Sequence, residues 1–492
     1  MLQKMERNKR LSWHVLIPIA VSVLILMICT KSSFLYPMND WVDVNCYFTV
    51  GRGVKHGMIP YLDLYEQKGP LVYFLYALCA WISEDSFIGV FCVECVCFAL
   101  FLHFSGRTAL ALSRSKGSYL LTVSVLGLAV PLSKAFSHGG SAEELILPVL
   151  ALGLMTVMEA MEAGRGLSCR EAVRLGICTF IALFSKYTFC GLFAGLALLV
   201  LIFYVAKGRG RELPRLIGAF LAGVLLPTGV LILWFWTHGA LWAMIKAYFV
   251  NNLALYSKTV SGGRYDPPLA NLLNNLSWSV PGMIGLVLLW MRRGKRWEAA
   301  AALSGAVCLF VFTYISGRRY PYYALVLSVF ACIGFGCAAE WLCRREKHRK
   351  MLEKGMAAAS ILAVLAGPLL AYKMSGNTYL LGASRDEMPQ YRFAEIIGQA
   401  EDQSLLNSGF LDGGFYFAAG VLPSEPFFCT LNIRLDEMEE ALEESIAQGK
   451  TAFVVTRSRE LKHSSRYRLV DSCSYPFEGR DWKYYLYQRI EG

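Results

Sequence analysis

Long apolar runs divide this sequence and restrict what it can fold into. A helix needs about 20 predominantly apolar residues to cross the hydrocarbon core of a bilayer. About eleven runs approach this length, at 13–30, 87–104, 118–133, 145–160, 172–187, 189–206, 216–236, 279–291, 297–316, 322–343 and 356–374. Hydrophobic residues make up 55% of the 492 residues and charged residues only 17%, which excludes an ordinary soluble domain. The sequence therefore predicts an all-α polytopic membrane protein with about 11 transmembrane helices.

The lysines and arginines lie in short clusters between alternate apolar runs. Six segments hold half of the 48 Lys and Arg residues: 4–10, 107–116, 165–174, 207–215, 292–296 and 344–354. Cytoplasmic loops carry such an excess of positive charge, so we place these segments and the N-terminus in the cytoplasm. The formal charge of +11 then reflects topology, and no nucleic-acid partner is expected. The first run lacks a small-residue cleavage site, so we expect it to remain as the anchor of a multi-pass cell-membrane protein.

Two apolar segments have an unusual length. Leu71–Ile82 is too short to span, and as a full span it would turn five of the six basic clusters outward. It is interpreted as an in-plane or re-entrant helix within a long first outer loop, at about 31–86. The run 175–206 is too long for one helix and carries Lys186 at its middle. We predict two spans joined by an outward-facing turn at Ser185-Lys186-Tyr187.

The chain changes character after the last apolar run. Residues 384–492 are polar and mixed, with helical patterns in RFAEIIGQAE and LDEMEEALEESIAQG. Two further stretches, TAFVVTRS and WKYYLYQRI, have the β-branched and aromatic content of strands. The sequence therefore predicts a transmembrane domain over 1–375 and a small extracytoplasmic α/β domain over 384–492.

The first outer loop concentrates ionisable residues beside the membrane. Asp40, Asp43, Asp63 and Glu66 lie there with Lys68. The simplest interpretation is a solvated loop held by local ion pairs, although its aromatic, Gly and Pro content favours an ordered loop. The order of its residues is Asp43-x-x-x-Tyr47, Gly51-Arg52, Gly57-x-x-Pro60-Tyr61-x-Asp63, Glu66-x-Lys68-Gly69-Pro70-Leu71 and Tyr73.

This order resembles the first outer loop of the GT-C glycosyltransferases, such as the aminoarabinose transferases of lipid A and the protein O-mannosyltransferases. The resemblance implies a membrane enzyme that uses a lipid-phosphate-linked sugar, with an acidic residue of this loop at the active site. Matching by the Tyr four residues later assigns that acid to Asp43, with Asp40 as the alternative. Glu66 and Lys68 are expected to support the site from nearby.

A second acidic pair, Glu143 and Glu144, lies where a span re-enters the membrane. Two adjacent acids there suit a helix N-terminus and its dipole. The resemblance implies a second functional acid at this point, which we assign to Glu143 with Glu144 as the alternative.

Cations at membrane depth are candidates for binding the donor phosphate. Lys186 interrupts an apolar run, and Arg318 and Arg319 precede Tyr322 at the outer end of a span. Such residues also anchor helices at the membrane interface, and the family's similar Arg-Tyr pattern favours a phosphate-binding role. Further candidates in the loop 237–278 are Lys246, Lys258 and Arg264.

The remaining candidate residues concern a metal cofactor and structural roles. A divalent metal ion is a candidate cofactor, and His138 is a weak candidate ligand. The 15 Cys form no zinc pattern and are interpreted as buried apolar residues. Glu94, inside a span, is expected to have a structural polar partner.

The resemblance thus implies transfer of a sugar from a polyprenyl-phosphate donor to an envelope glycan, lipid or protein at the outer face. Asp43 would act as the general base. The alternatives are a transporter or lipid flippase, and a structural subunit of an envelope complex. Transporters commonly show inverted repeats with ionisable groups at the midplane, and neither is visible here.

Overall fold

The computed structural model describes residues 2–255, 268–292, 294–343, 346–433, 435–461, 465–477 and 479–490. The chain divides into two compact units. Unit 1 comprises Met1–Ser33, Phe91–Leu231 and Gly263–Thr378. Unit 2 comprises Phe34–Val90, Ile232–Gly262 and Tyr379–Gly492.

Helices make up unit 1 in the part of the chain that the structure describes. The α-helices that lie in it wholly or mainly are α1 Leu2–Cys29, α4 Ile88–Ser113, α5 Lys116–Ala129, α6 Ala142–Leu145, α7 Leu147–Glu162, α8 Cys169–Ser185, α9 Cys190–Ala206, α10 Leu213–Thr237, α13 Pro268–Leu273, α14 Leu276–Met291, α15 Arg296–Tyr314, α16 Ala331–Cys343 and α17 Glu346–Met374. Shorter 3₁₀ helices cover Tyr187–Phe189, Gly210–Glu212 and Pro321–Phe330, and a further one, Thr378–Leu380, begins at the last residue of unit 1.

Seven helical stretches among the described residues are long and apolar enough to cross a membrane. They are Ile88–Ser113, Ala142–Glu162, Tyr187–Ala206, Gly210–Thr237, Arg296–Tyr314, Pro321–Cys343 and Arg349–Met374. Shorter apolar helices are His14–Cys29, Pro70–Ile82, Lys116–Ala129 and Leu276–Met291. The predicted polytopic helical class is confirmed. The predicted number of eleven spans is not confirmed, although every predicted run is helical over most of its length.

The predicted break at Lys186 is present. Helix α8 ends at Ser185, Lys186 is extended with φ −157° and ψ 112°, and the Tyr187–Phe189 turn leads into α9. Because Lys186 is extended, it interrupts the helix, and the run 175–206 forms two helices. The direction that this turn faces stays a prediction.

Unit 2 combines helices with a small sheet. Its α-helices are α2 Val42–Lys55, α3 Pro70–Ile82, α11 Leu241–Met244, α12 Asn252–Ala254, α18 Pro389–Gly398, α19 Phe415–Ala418 and α20 Asp436–Gln448. A π-helix covers Ile245–Asn251, and a 3₁₀ turn covers Arg385–Glu387. The strands are β1 Leu405–Ser408, β2 Phe453–Arg457, β3 Tyr467–Phe477 and β4 Arg480–Arg489.

The sheet has the order β1-β2-β4-β3. Strand β1 runs parallel to β2, whereas β4 is antiparallel to both of its neighbours. The sequence patterns predicted α18, α20, β2 and β4, and the structure confirms these four elements. That residues 384–492 form a separate domain outside the membrane stays a prediction.

Helix α2 corrects the interpretation of residues 31–86 as a loop with a helix only near its end. Gly51 and Gly53 lie inside this helix, although glycine weakens a helix interior. In the structure they serve packing: a Cβ atom on Gly51 would lie 2.6 Å from the Tyr76 carbonyl carbon. Helix α2 therefore lies directly against α3, with backbone close to backbone.

Helix α3 coincides with the predicted short segment. Gly69 precedes it and Pro70 occupies its first turn, which suits the fixed φ of proline. Its 13 residues extend about 20 Å, less than the roughly 30 Å of a bilayer core. This length agrees with a helix that does not span, and its in-plane orientation stays a prediction.

Candidate functional site

Asp43 lies in the first turn of α2, in unit 2. The Tyr47 hydroxyl, one turn later, donates a hydrogen bond to Asp43 Oδ2 at 3.2 Å. Lys68 Nζ lies 3.9 Å from the same oxygen and 5.3 Å from the centre of the Tyr47 ring. The Asp43 side chain keeps 11% of its surface exposed. This carboxylate is thus oriented by a phenol and a cation and remains partly open to other groups.

The turn before α3 positions Lys68. Glu66 accepts hydrogen bonds from the Lys68 backbone N–H at 2.9 Å and from the Tyr73 hydroxyl. The Tyr61 hydroxyl donates to the Lys68 carbonyl at 2.6 Å. Glu66 therefore holds the backbone of this turn. That Glu66 and Lys68 support an active site stays a prediction.

Asp40, the alternative acid, has a different environment. Its Oδ2 accepts hydrogen bonds from the hydroxyls of Tyr475 at 3.1 Å and Tyr379 at 3.4 Å. Asp40 is only 3% exposed. Burial, together with the Asp40 carboxylate, raises the pKa of Tyr475, so this phenol remains a donor. These contacts favour a structural role for Asp40.

Glu143 and Lys186 form a close ion pair in unit 1. Lys186 Nζ lies 2.5 Å from Glu143 Oε1, and the two side chains are 14% and 2% exposed. The ammonium group also lies 3.6 Å from the centre of the Tyr323 ring, which is cation–π geometry. The break between α8 and α9 presents Lys186, and the short helix α6 presents Glu143. The two residues that the sequence selected separately are therefore direct partners.

An aromatic cluster extends from this pair towards Arg318. Tyr320 packs edge-on against Tyr323 with ring centres 5.4 Å apart and is stacked on Tyr322 at 5.5 Å. The buried Arg318 donates a hydrogen bond to the Tyr320 hydroxyl at 3.2 Å. Lys186, Arg318 and Tyr322 are thus brought together through tyrosine rings. We call Lys186, Arg318, Tyr320, Tyr322 and Tyr323 the cation–tyrosine cluster.

Glu144 differs from its neighbour Glu143. It is 1% exposed, and its Oε2 accepts a hydrogen bond from the Gly140 N–H at 2.8 Å. Glu94, also buried, accepts from the Thr30 hydroxyl at 2.9 Å, which confirms the predicted structural partner. These contacts leave Glu143 as the acid of the pair that meets a cation.

Two of the remaining candidates, Arg319 and Lys246, are described and have other contacts. Asn271 donates to the Arg319 carbonyl at 3.3 Å, and the Arg319 side chain is half-buried. Lys246 pairs with Glu437 at 2.8 Å on an exposed surface. Lys258 and Arg264 lie outside the described residues. Within the described part of the chain, no three His, Cys, Asp or Glu side chains could hold a metal ion, His138 included. A divalent metal cofactor stays a prediction.

The sequence did not predict the contacts that the C-terminal part of unit 2 makes with Asp40 and with helix α2. Tyr379 and Tyr475 contact Asp40, and Asp412 contacts Thr49 of α2. These residues lie more than 300 positions from their partners along the chain. No local pattern could have paired them.

Comparison with known proteins supports the fold. No model of a known protein family matches the sequence, and no curated protein matches it. A crystal structure of ArnT from Cupriavidus metallidurans bound to undecaprenyl phosphate matches with a TM-score of 0.61 and 15% sequence identity, over 97% of this chain and 98% of that one. The apo structure of the same ArnT matches with the same score and identity, over 98% of each chain. The protein therefore has the fold of ArnT along nearly its whole length.

Proposed function

We propose that this protein is a glycosyltransferase that moves a sugar from a polyprenyl-phosphate donor to an acceptor at the outer face of the cell membrane. The observation that carries the proposal is the oriented, partly open carboxylate of Asp43 within an ArnT fold. The ArnT structure bound to undecaprenyl phosphate supports the donor class. The acceptor would be an envelope glycan, lipid or protein.

Asp43 would serve as the general base of a direct, inverting displacement. The acceptor hydroxyl gives its proton to Asp43 while its oxygen forms a bond to the anomeric carbon. The bond from that carbon to the phosphate oxygen breaks, and polyprenyl phosphate leaves. Tyr47 and Lys68 would hold the carboxylate in the orientation that this transfer requires.

The cation–tyrosine cluster would bind the donor phosphate. Negative charge grows on the phosphate as the bond to the sugar breaks, and positive groups lower the barrier to that step. Lys186 carries three N–H donors, so its bond to Glu143 does not use all of its capacity. Arg318 would add a planar donor group, and Tyr322 an aromatic surface, to the same phosphate site.

The direct test uses purified protein in nanodiscs. A polyprenyl phosphate carrying a labelled sugar is supplied together with an extract of envelope acceptors. We expect label to appear in the acceptor fraction and free polyprenyl phosphate to accumulate in equal amount. Movement of the intact labelled lipid across the bilayer, with no cleavage, would instead support a flippase.

A further inference from the structure

A buried carboxylate in unit 2 contacts the helix that carries Asp43. Asp412 lies in the loop after β1 and is fully buried. The Thr49 hydroxyl of α2 donates a hydrogen bond to Asp412 Oδ2 at 2.6 Å. The other oxygen, Oδ1, accepts from the Gly414 N–H at 2.8 Å and from Asn407 Nδ2 at 3.2 Å. Asp412 thus ties α2 to its own loop.

Further contacts join the same helix to the same segment, residues 407–429. Arg52 donates to the Tyr416 carbonyl at 3.2 Å. The Phe48 ring packs against Phe417, with ring centres 5.9 Å apart. Helix α2 is therefore fixed by a polar and aromatic contact surface that extends beyond the Asp412 bond.

A pair of cysteines lies beside these contacts. Cys46 Sγ is 3.9 Å from Cys429 Sγ, and both residues are buried. Burial raises the pKa of the Cys46 thiol well above its usual value, so it is protonated at neutral pH. The pair provides a natural reporter of whether α2 is docked on segment 407–429.

The position of Asp43 depends on the position of α2. Thr49 follows Asp43 by six residues, which is about 9 Å along a helix. Because a helix is stiff over this length, a change in how Thr49 is held moves the Asp43 carboxylate. A displacement near 1 Å at a reacting group can cost about 100-fold in rate.

We infer that Asp412, acting through Thr49, is a positioning residue that sets the orientation of the Asp43 carboxylate. The role of segment 407–429 is then to fix the catalytic helix. This inference rests on the proposed function, in which Asp43 is the general base. It gives the C-terminal part of the chain a task that does not require it to touch the substrate.

Thr49→Val tests the inference because it keeps the shape of the side chain and removes only the bond to Asp412. Thr49→Ser keeps the hydroxyl and is the conservative rescue. Thr179→Val is the matched control, since the Thr179 hydroxyl bonds only within its own helix, to the Leu175 carbonyl at 2.8 Å. All variants are made in a chain that retains only Cys46 and Cys429 among its cysteines.

The first measurement follows formation of the Cys46–Cys429 disulfide. Dithiodipyridine accepts the two electrons of the two thiols and is released as two thiopyridone molecules. The linked peptide is quantified by mass spectrometry. We expect a rate several-fold higher in Thr49→Val than in Thr49→Ser or Thr179→Val, because loosening of α2 exposes the buried thiols to the reagent. Equal rates in all variants would show that Thr49 does not hold α2 and would overturn the inference.

The second measurement separates kcat from the donor KM. We expect Thr49→Val to lower kcat by roughly tenfold or more with little change in the donor KM, and Thr49→Ser to restore it. An altered disulfide rate with an unchanged kcat would also overturn the inference. A parent protein with no transferase activity would count against the proposed function, while the disulfide rates would still report on docking of α2. Asp412→Asn, with the Thr179→Val control, repeats both measurements if Thr49→Val fails to fold.

Discussion

Lys186 Nζ and Glu143 Oε1 lie 2.5 Å apart at a point where a long apolar run stops being helical. Ionisable residues within membrane segments are rare, because leaving water costs free energy, and they commonly pair with one another. The same ammonium group faces the Tyr323 ring at 3.6 Å. One cation therefore contacts an anion and an aromatic face.

Replacing Lys186 should weaken donor binding. Lys186→Met removes a charge-assisted hydrogen bond to the phosphate, so we expect the donor Kd to rise about 10- to 100-fold. Binding can be measured with a fluorescent polyprenyl phosphate in nanodiscs. Lys295→Met is the control, since Lys295 pairs with Glu162 at 3.2 Å and has no proposed role.

A buried Glu143 left without its cation could disturb the fold by itself. The double variant Lys186→Met/Glu143→Gln removes both charges and separates the two effects. If Lys186 binds phosphate, the double variant binds the donor as weakly as the single one. Recovery of binding in the double variant would show that Lys186 serves only to neutralise Glu143.

Replacing Asp43 should stop the chemistry and spare binding. Asp43→Asn keeps the size of the side chain but removes the proton acceptor, so we expect turnover to fall by about 100-fold or more. Donor binding should stay within the error of the parent value. An active Asp43→Asn protein together with an inactive Asp40→Asn protein would identify Asp40, three residues earlier, as the general base instead.

Replacing Asp40 should reduce stability. Asp40→Ala removes the acceptor of the buried Tyr475 hydroxyl, which costs about 1–3 kcal/mol, and also the acceptor of the exposed Tyr379 hydroxyl. The melting temperature in detergent should fall below that of the exposed control Glu387→Ala. Equal melting temperatures would contradict the structural role of Asp40.

The predicted topology can be tested by labelling single cysteines. Leu62, Asp85 and Arg114 are exposed, and each is replaced by Cys in a cysteine-free background. A membrane-impermeant maleimide added outside should label positions 62 and 85 and leave 114 unlabelled until the membrane is opened. Labelling at 114 with protection at 85 would mean that Leu71–Ile82 spans.

The free energy of unfolding of unit 2 should depend on pH through the ionisation of Glu84. Lys55 and His56 bond to Glu84 and lower its pKa from 4.5 to about 2. A carboxyl group whose folded pKa is lowered contributes stability above its unfolded pKa and loses it as pH falls through the folded value. The contribution should therefore be complete above about pH 4.5 and disappear towards pH 2. Glu84→Gln should melt lower than the parent at pH 7, and the difference should shrink as pH falls. A constant difference across this range would contradict the assignment.

Elements that follow from local pattern could be predicted from the sequence. The apolar runs, the break at Lys186, the short helix α3 and four elements of the C-terminal part all have periodicity or length as their signal. The bounds of helix α2 were not predicted, and only the neighbouring backbone of Tyr76 shows why glycine lies inside it. The four-residue strand β1 is too short to carry a pattern.

The candidate site likewise contains residues that the sequence could identify and contacts that it could not. Lys186 could be selected because an ionisable residue inside an apolar run is conspicuous, whereas Asp43 and Glu143 were selected through the family resemblance. That resemblance favoured Asp43 over Asp40. The contacts of Tyr379 and Tyr475 with Asp40 could not be predicted, because these tyrosines lie more than 300 positions away along the chain.

Helix α2 and segment 407–429, which contacts it, lie far apart along the chain, and this distance has a consequence for biosynthesis. Cys46 and Cys429 are 383 positions apart. At about 5–20 residues per second, the ribosome needs roughly 20–80 seconds to pass from one to the other. During that interval the nascent chain already contains Asp43, yet the residues that hold its helix do not exist. Chains cut short before residue 407 would therefore carry the proposed general base on a helix that lacks its contacts with segment 407–429, and we expect activity to arise only when synthesis is nearly complete.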